Sequence, residues 1–304
     1  MKLRNILLIL TLSTASHLLP MQQPMSISER VSRAWTILRH YVRSYIYTEN
    51  QCIWSGMIGT NKVNVMFAIS ESWFKRYEIS RSQACELWAQ DRHIFEKLLP
   101  LLKKYDEVFV VFGSSGAECY AAIHPYMNHA MISFGNMWPI MTEAEKEFIV
   151  AHEVSHLLLG HCPGQSEKDF KSKAEYCGYL KKREQEADLH AAQLLGTAHG
   201  GISFFNKLDT RTRQACVTLG GLRVDEVDQL MSAIIRSKAK DQAQHIAVLR
   251  TFHDNRVKKH NWSFIKRLYE TYKMLRISDH VIQMDHPQYI ERVRYLQAWE
   301  NGQK

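Results

Sequence analysis

Residues 148–161 read FIVAHEVSHLLLGH, and the reading of this stretch decides what the rest of the chain is built around. His152, Glu153 and His156 form an H-E-x-x-H motif. An α-helix advances about 100° per residue, so side chains four apart lie nearly one above the other. On a helix, His152 and His156 therefore present two imidazoles to one ion. Glu153 projects beside them, where a general base for a metal-bound water belongs. The flanks support a helix: Thr142 has the chemistry of an N-cap, Glu145 stands three residues later, and no Gly or Pro intervenes before Gly160. Phe148, Ile149, Val150, Leu157, Leu158 and Leu159 make the segment almost wholly apolar, which predicts burial. Polar groups without partners are costly in a buried helix, and a metal gives these three a reason to be there.

A catalytic zinc site takes three protein ligands and keeps one position open. The metzincin pattern H-E-x-x-H-x-x-G-x-x-H would draw the third from six residues after His156, but Cys162 stands there, and the glycine is at 160 rather than 159. His161 falls one residue short and about 140° around the helix, and it reads as a helix C-terminal residue favoured by the dipole. Downstream, residues 183–195 read REQEADLHAAQLL. Glu184 and Asp188 are four apart and share a helix face, while Ala187, Ala191 and Ala192 are small enough to let a second helix approach closely. Lys181, Lys182, Arg183, Glu186 and His190 also fit a solvated charged face, but the HEVSH helix about thirty residues upstream favours a carboxylate ligand here. Glu186 rivals Glu184 for that role; the two are about 200° apart and cannot both face one metal.

AHEVSHLLLGH followed by EQEAD resembles the gluzincin zinc metallopeptidases typified by the HtpX membrane protease, the BepA periplasmic protease and the CAAX prenyl endopeptidase. His161 repeats a histidine of that family, GISFFNKL (Gly201–Leu208) is similar to its segment after the acidic helix, and DHPQYIERV (Asp285–Val293) is similar to its HP-x4-R element. The resemblance runs from about residue 107 to residue 300. It implies a zincin-like fold and one Zn2+ per chain held by His152, His156 and Glu184. It implies Glu153 as general base, Asp188 as the residue orienting a ligand imidazole, and His286 or Arg292 contacting the tetrahedral intermediate or closing the site. Lit-type and ImmA/IrrE-type peptidases share a similar motif set and would carry nearly the same metal site with different substrates.

The surrounding pattern predicts an α+β, mostly helical chain with a small sheet ahead of the HEVSH helix. Helices are expected at 27–47 and 81–104, the second interrupted near Pro100, and again at 222–239, 241–259 and 262–276. Strands are expected at Glu107–Phe112, Cys119–His124 and Ala130–Phe134, with a Ser114-Ser115-Gly116 turn. The run HAMISF (His129–Phe134) is either an edge strand that aligns a substrate backbone or an ordinary core strand. The expected division is a leader at 1–20, a helical N-terminal region at 21–105 and a metallopeptidase domain at 106–304. Residues 1–20 pair Lys2 and Arg4 with an apolar run from Ile6 to Leu12, the shape of a secretory signal, so a periplasmic or secreted protein is expected; a start at Met21 or Met25 would make it cytoplasmic.

With 304 residues, 45% of them hydrophobic, the chain can bury a substantial core. Its net charge of +8 is dispersed, there is no nucleic-acid motif, and no membrane span is expected beyond the N-terminal run. Six cysteines lack zinc-finger spacing; Cys162 and Cys177 lie between the two metal motifs, where a bridge would pin the loop. The leading function is a zinc endopeptidase for extended polypeptides, as in protein quality control. The alternatives are a narrow-target phage-exclusion or regulatory peptidase and a metal-binding pseudo-peptidase module.

Overall fold

The computed structural model describes residues 52–67, 80–112, 119–123, 128–135, 137–162, 165–237, 242–260 and 288–303, with positions 263, 266, 270 and 273 between the last two. The expected leader, the helix at 27–47, and His286 with Pro287 lie outside these residues. Five strands are present: β1 (Cys52–Ile58), β2 (Asn61–Phe67), β3 (Glu107–Phe112), β4 (Tyr120–Ile123) and β5 (His129–Phe134). The helices are α1 (Arg81–Leu98), α2 (Glu143–Leu158), α3 (Lys173–Leu195), α4 (His199–Thr218), α5 (Val224–Ser237), α6 (Gln242–His260) and α7 (Tyr289–Gly302). The chain is α+β and mostly helical, with its small mixed sheet ahead of the HEVSH helix. No helix among the described residues is long and apolar enough to cross a membrane.

The sheet order is β1-β2-β3-β5-β4. β1 and β2 form an antiparallel hairpin, β2 and β5 each run parallel to β3, and β4 returns antiparallel to β5. Alternation buries Val63 and Val65, Val108, Val110 and Phe112, and Ala130, Ile132 and Phe134. These side chains meet α1 through an aromatic cluster of Phe95, Phe112, Phe134 and Trp138. α1 opens with a Ser80/Gln83 capping box and gives way at Pro100 to a short 3-10 turn, Leu99–Leu102.

Two expectations are decided. Residues 52–67, placed within a helical N-terminal region, are a hairpin turned by Gly59 at φ 61°. That hairpin pairs with β3 from Lys62↔Glu107 to Phe67↔Phe112, and one hydrophobic core runs from Ile58 to Leu296. A boundary at 105/106 therefore cuts through the sheet. A separate small cluster, including Cys216, Leu230, Met231, Ile234 and Leu249, joins the end of α4 to α5 and α6. The second concerns HAMISF, for which the core-strand alternative holds. β5 has neighbours on both sides, so its backbone is committed to the sheet, and the edge strand that packs against α2 is β4.

α2 is anchored from three sides. Thr142 and Glu145 form the expected capping box. Lys146 places its ammonium 2.8 and 2.9 Å from the two oxygens of Asp91 on α1, and Trp138 Nε1 donates to the same carboxylate at 2.8 Å. α4 approaches through Gly200, where a Cβ would lie 2.0 Å from the Ala144 carbonyl oxygen, and through Gly201, where it would strike the Phe148 ring. Glycine there lets the two helix backbones come together.

Glu145 also bonds α4: its fully buried carboxylate accepts from Lys207 Nζ at 2.6 Å and Ser203 Oγ at 2.7 Å. Burial opposes its charge, but these donors and the Thr142 amide prevail and hold its pKa below the ordinary 4.5. A carboxylate depressed on folding stabilises the protein above its unfolded pKa, and that contribution fades as pH falls through the folded value. At pH 7 Glu145→Gln is expected to cost about 1.5–3 kcal/mol. In urea titrations repeated across pH, the gap between variant and wild type should shrink below about pH 4.5. A gap that stays constant down to pH 3 would contradict this role.

Candidate metal centre

Buried polar side chains on three helices converge at the middle of α2. His152, Glu153 and His156 are 5%, 3% and 8% exposed in a helix whose other central residues, Ser155 apart, are apolar. α3 lies across α2 with Ala187, Ala191 and Ala192 buried at the contact, so its backbone comes close enough for a carboxylate to reach in. Glu184 is that carboxylate: its Oε2 lies 3.4 Å from His152 Nε2 and its Oε1 3.3 Å from His156 Nε2. The two Nε2 atoms are 3.1 Å apart. Glu186 points elsewhere; its side chain is 45% exposed and pairs with Lys182 and His161. Among the described residues, His152, His156 and Glu184 are the one group with metal-ligand spacing.

The donor set fits zinc. Tetrahedral coordination with bonds of about 2.0–2.1 Å separates neighbouring ligand atoms by about 3.3–3.4 Å. Here the two Nε2 atoms are 3.1 Å apart and each lies 3.3–3.4 Å from its own oxygen of Glu184, so the three ligand groups are gathered within 4.8 Å of one another. Two imidazoles and one carboxylate are also the ligand types of a hydrolytic zinc site with an open position.

Electrostatics follow from burial and from Asp188, one turn beyond Glu184 on α3. Asp188 Oδ1 is 2.9 Å from His152 Nδ1, which sets a carboxylate directly behind this imidazole. Burial disfavours charge on His152, yet Asp188 and Glu184 outweigh it and raise its pKa to about 10. His156 lacks such a partner; burial and the neighbouring His152 take it down to about 4 despite Glu184. Burial opposes ionisation of Glu184 and Asp188 as well, but the imidazoles and Arg292 hold both in the carboxylate form.

Arg292, from α7, does not face an open site. It is buried, donating to Asp188 from Nε at 2.7 Å and Nη2 at 2.5 Å, with Nη1 3.4 Å from Glu184. Its guanidinium stacks 3.9 Å over Phe205 of α4. In place of the expected contact with an intermediate, Arg292 clamps Asp188 and Glu184. Tyr295, absent from the sequence reading, donates its hydroxyl to Asp188 Oδ2. Burial and the Asp188 charge raise its pKa, which keeps the phenol protonated as a donor. Its position three residues after Arg292, on the same helix face, was the available signal.

Other expected residues find different partners. His161 does end the helix, with its amide bonding the His156 carbonyl after Gly160 at φ 72°. Its ring, however, sits 3.0 Å from His156 Nδ1. His190 Nδ1 lies 2.9 Å from the buried Ser155 hydroxyl, a link between α3 and α2 that the sequence reading also missed. The Cys162–Cys177 bridge is not formed: the Cys162 thiol donates to the Ala121 carbonyl of β4 at 3.3 Å, and burial pushes its pKa up to about 11. His286 lies outside the described residues, so its expected role has no structural counterpart here.

No family model, curated protein or solved structure matches the chain.

Proposed function

We propose that this chain is a zinc-dependent endopeptidase with a zincin-like site. The observation that carries the reading is the buried triangle of His152 Nε2, His156 Nε2 and a Glu184 oxygen, with Glu153 on the same turn. Buried polar groups in such number need a compensating partner, and a cation supplies it. Bound by these three residues, zinc would supply a Lewis acid for a carbonyl oxygen and a lowered pKa for water. Glu153 then accepts the proton of the attacking water as the new carbon–oxygen bond forms, and returns it to the amine nitrogen as the carbon–nitrogen bond breaks. Asp188 fixes the His152 ring, and Arg292 and Tyr295 fix Asp188.

The substrate is an extended polypeptide. β4 is an edge strand of the described sheet and packs beside α2, a position that suits strand addition. The experiment is cleavage of casein by purified protein with and without a chelator. Cleavage is expected to vanish on chelation and return with one equivalent of zinc. Cleavage that persists in the metal-free protein, or a zinc-loaded protein that cuts nothing in a broad peptide library, would overturn the reading.

A further inference from the structure

The two imidazoles that face Glu184 are not held alike. His152 turns its Nδ1 to the carboxylate of Asp188, whereas His156 turns its Nδ1 to another imidazole, that of His161, at 3.0 Å. His161 in turn presents Nε2 to Oε2 of Glu186 at 3.3 Å. His161 is 7% exposed and sits just past the left-handed Gly160, which folds it back beneath the helix end. The rings of His156 and His161 meet edge to face, 5.1 Å between centroids.

We propose that His161, braced by Glu186, is a positioning residue that sets the tautomer and orientation of His156. The inference rests on the zinc-site reading above, in which His156 binds through Nε2. A neutral imidazole bound through Nε2 carries its proton on Nδ1. That Nδ1–H must donate, so His161 Nδ1 must accept. A neutral His161 then carries its own proton on Nε2 and donates it to Glu186. Every donor in the series Glu186–His161–His156 has an acceptor, and the direction is fixed from the metal outward. Partners behind a ligand histidine hold ring orientation and raise basicity, and their loss typically costs 10–100-fold in metal affinity.

The three carboxylates of the EQEAD segment thus take three separate tasks. Glu184 faces the two Nε2 atoms, Asp188 backs His152 and Glu186 backs His161. Glu186 keeps a function after losing the competition for the ligand position.

The test compares wild type, His161→Leu and His161→Asn in zinc competition with a chromophoric chelator. His161→Leu should weaken zinc binding about 10–100-fold, because Leu accepts no hydrogen bond. His161→Asn should recover much of the loss, since its amide oxygen can take the place of Nδ1. Long-range 1H–15N spectra of the zinc-loaded wild type supply a readout that a packing role would not move. They should show the His161 proton on Nε2 and the His156 proton on Nδ1. Unchanged zinc affinity in His161→Leu, or a proton on His161 Nδ1, overturns the proposal while leaving the zinc site standing. A wild type that binds no zinc overturns the site reading itself. If His161→Leu does not fold, the wild-type spectra decide.

Discussion

Glu153→Gln is expected to lower peptide hydrolysis by about 10³-fold or more while one zinc per chain stays bound. A positioned general base contributes about 10²–10⁴-fold, and a neutral amide of the same shape cannot accept the proton of the attacking water. The substitution spares His152, His156 and Glu184, so the metal content should not change. Turnover and zinc content measured on the same sample separate base from ligand. A variant that loses its zinc would move Glu153 among the residues that hold the metal. A variant that keeps both zinc and activity would remove it from the chemistry.

Asp188→Ala is expected to be the most damaging single change to stability near the site. Asp188 is fully buried and receives Arg292, Tyr295 and His152 together. Without it, Arg292 stays buried with the 3.4 Å contact to Glu184 and the Phe205 ring in compensation. Removing one partner of a buried ion pair costs about 3–5 kcal/mol, which for a protein of this size lowers Tm by roughly 10 °C. Pairing Asp188→Leu with Arg292→Met should recover part of the loss, since the uncompensated charge goes with it. Melts of metal-free protein measure this without interference from zinc. A change within about 0.5 kcal/mol for Asp188→Ala would show that the network carries little energy.

The sequence was most informative where structure is local. The Thr142–Glu145 capping box, the apolar flanks and the four-residue spacing of His152 and His156 all depend on one helix, and each is found as expected. The pairing of Glu184 and Asp188 on one face is local as well. The choice between Glu184 and Glu186 is not, because it turns on how α3 rotates against α2. The hairpin at 52–67 was hidden by its polar residues. Asn61 is buried because its amide donates to the Leu99 carbonyl at 2.8 Å, and Asn64 because Ser55 and Glu107 take its side chain. Partners supplied from 9 to 43 residues away turn asparagines that look like turn residues into strand residues. The interior place of β5 was equally hidden. Its parallel pairing with β3 leaves β4, the strand before it in the chain, at the edge, and no period within HAMISF reports that order. Arg292 and Tyr295 reach Asp188 across 104 and 107 residues, a distance at which only the motif resemblance offered any hint.

These same contacts explain why the site is firm. Two helices carry the candidate ligands, α7 clamps the supporting carboxylate, and α4 locks α2 through Gly200, Gly201 and Glu145. A metal bound here would meet three donor groups already gathered within 4.8 Å of one another, so little ordering is left for binding to cost.

On the proposed reading, His152, His156 and Glu184 hold one zinc ion. Zinc content per chain, measured by mass spectrometry after exhaustive dialysis, tests it most directly. Wild type should retain about one equivalent, as should Glu186→Gln, whose amide oxygen still accepts from His161, and Glu184→Gln should retain much less. A wild type free of zinc, or a Glu184→Gln protein with its full equivalent, would contradict the account.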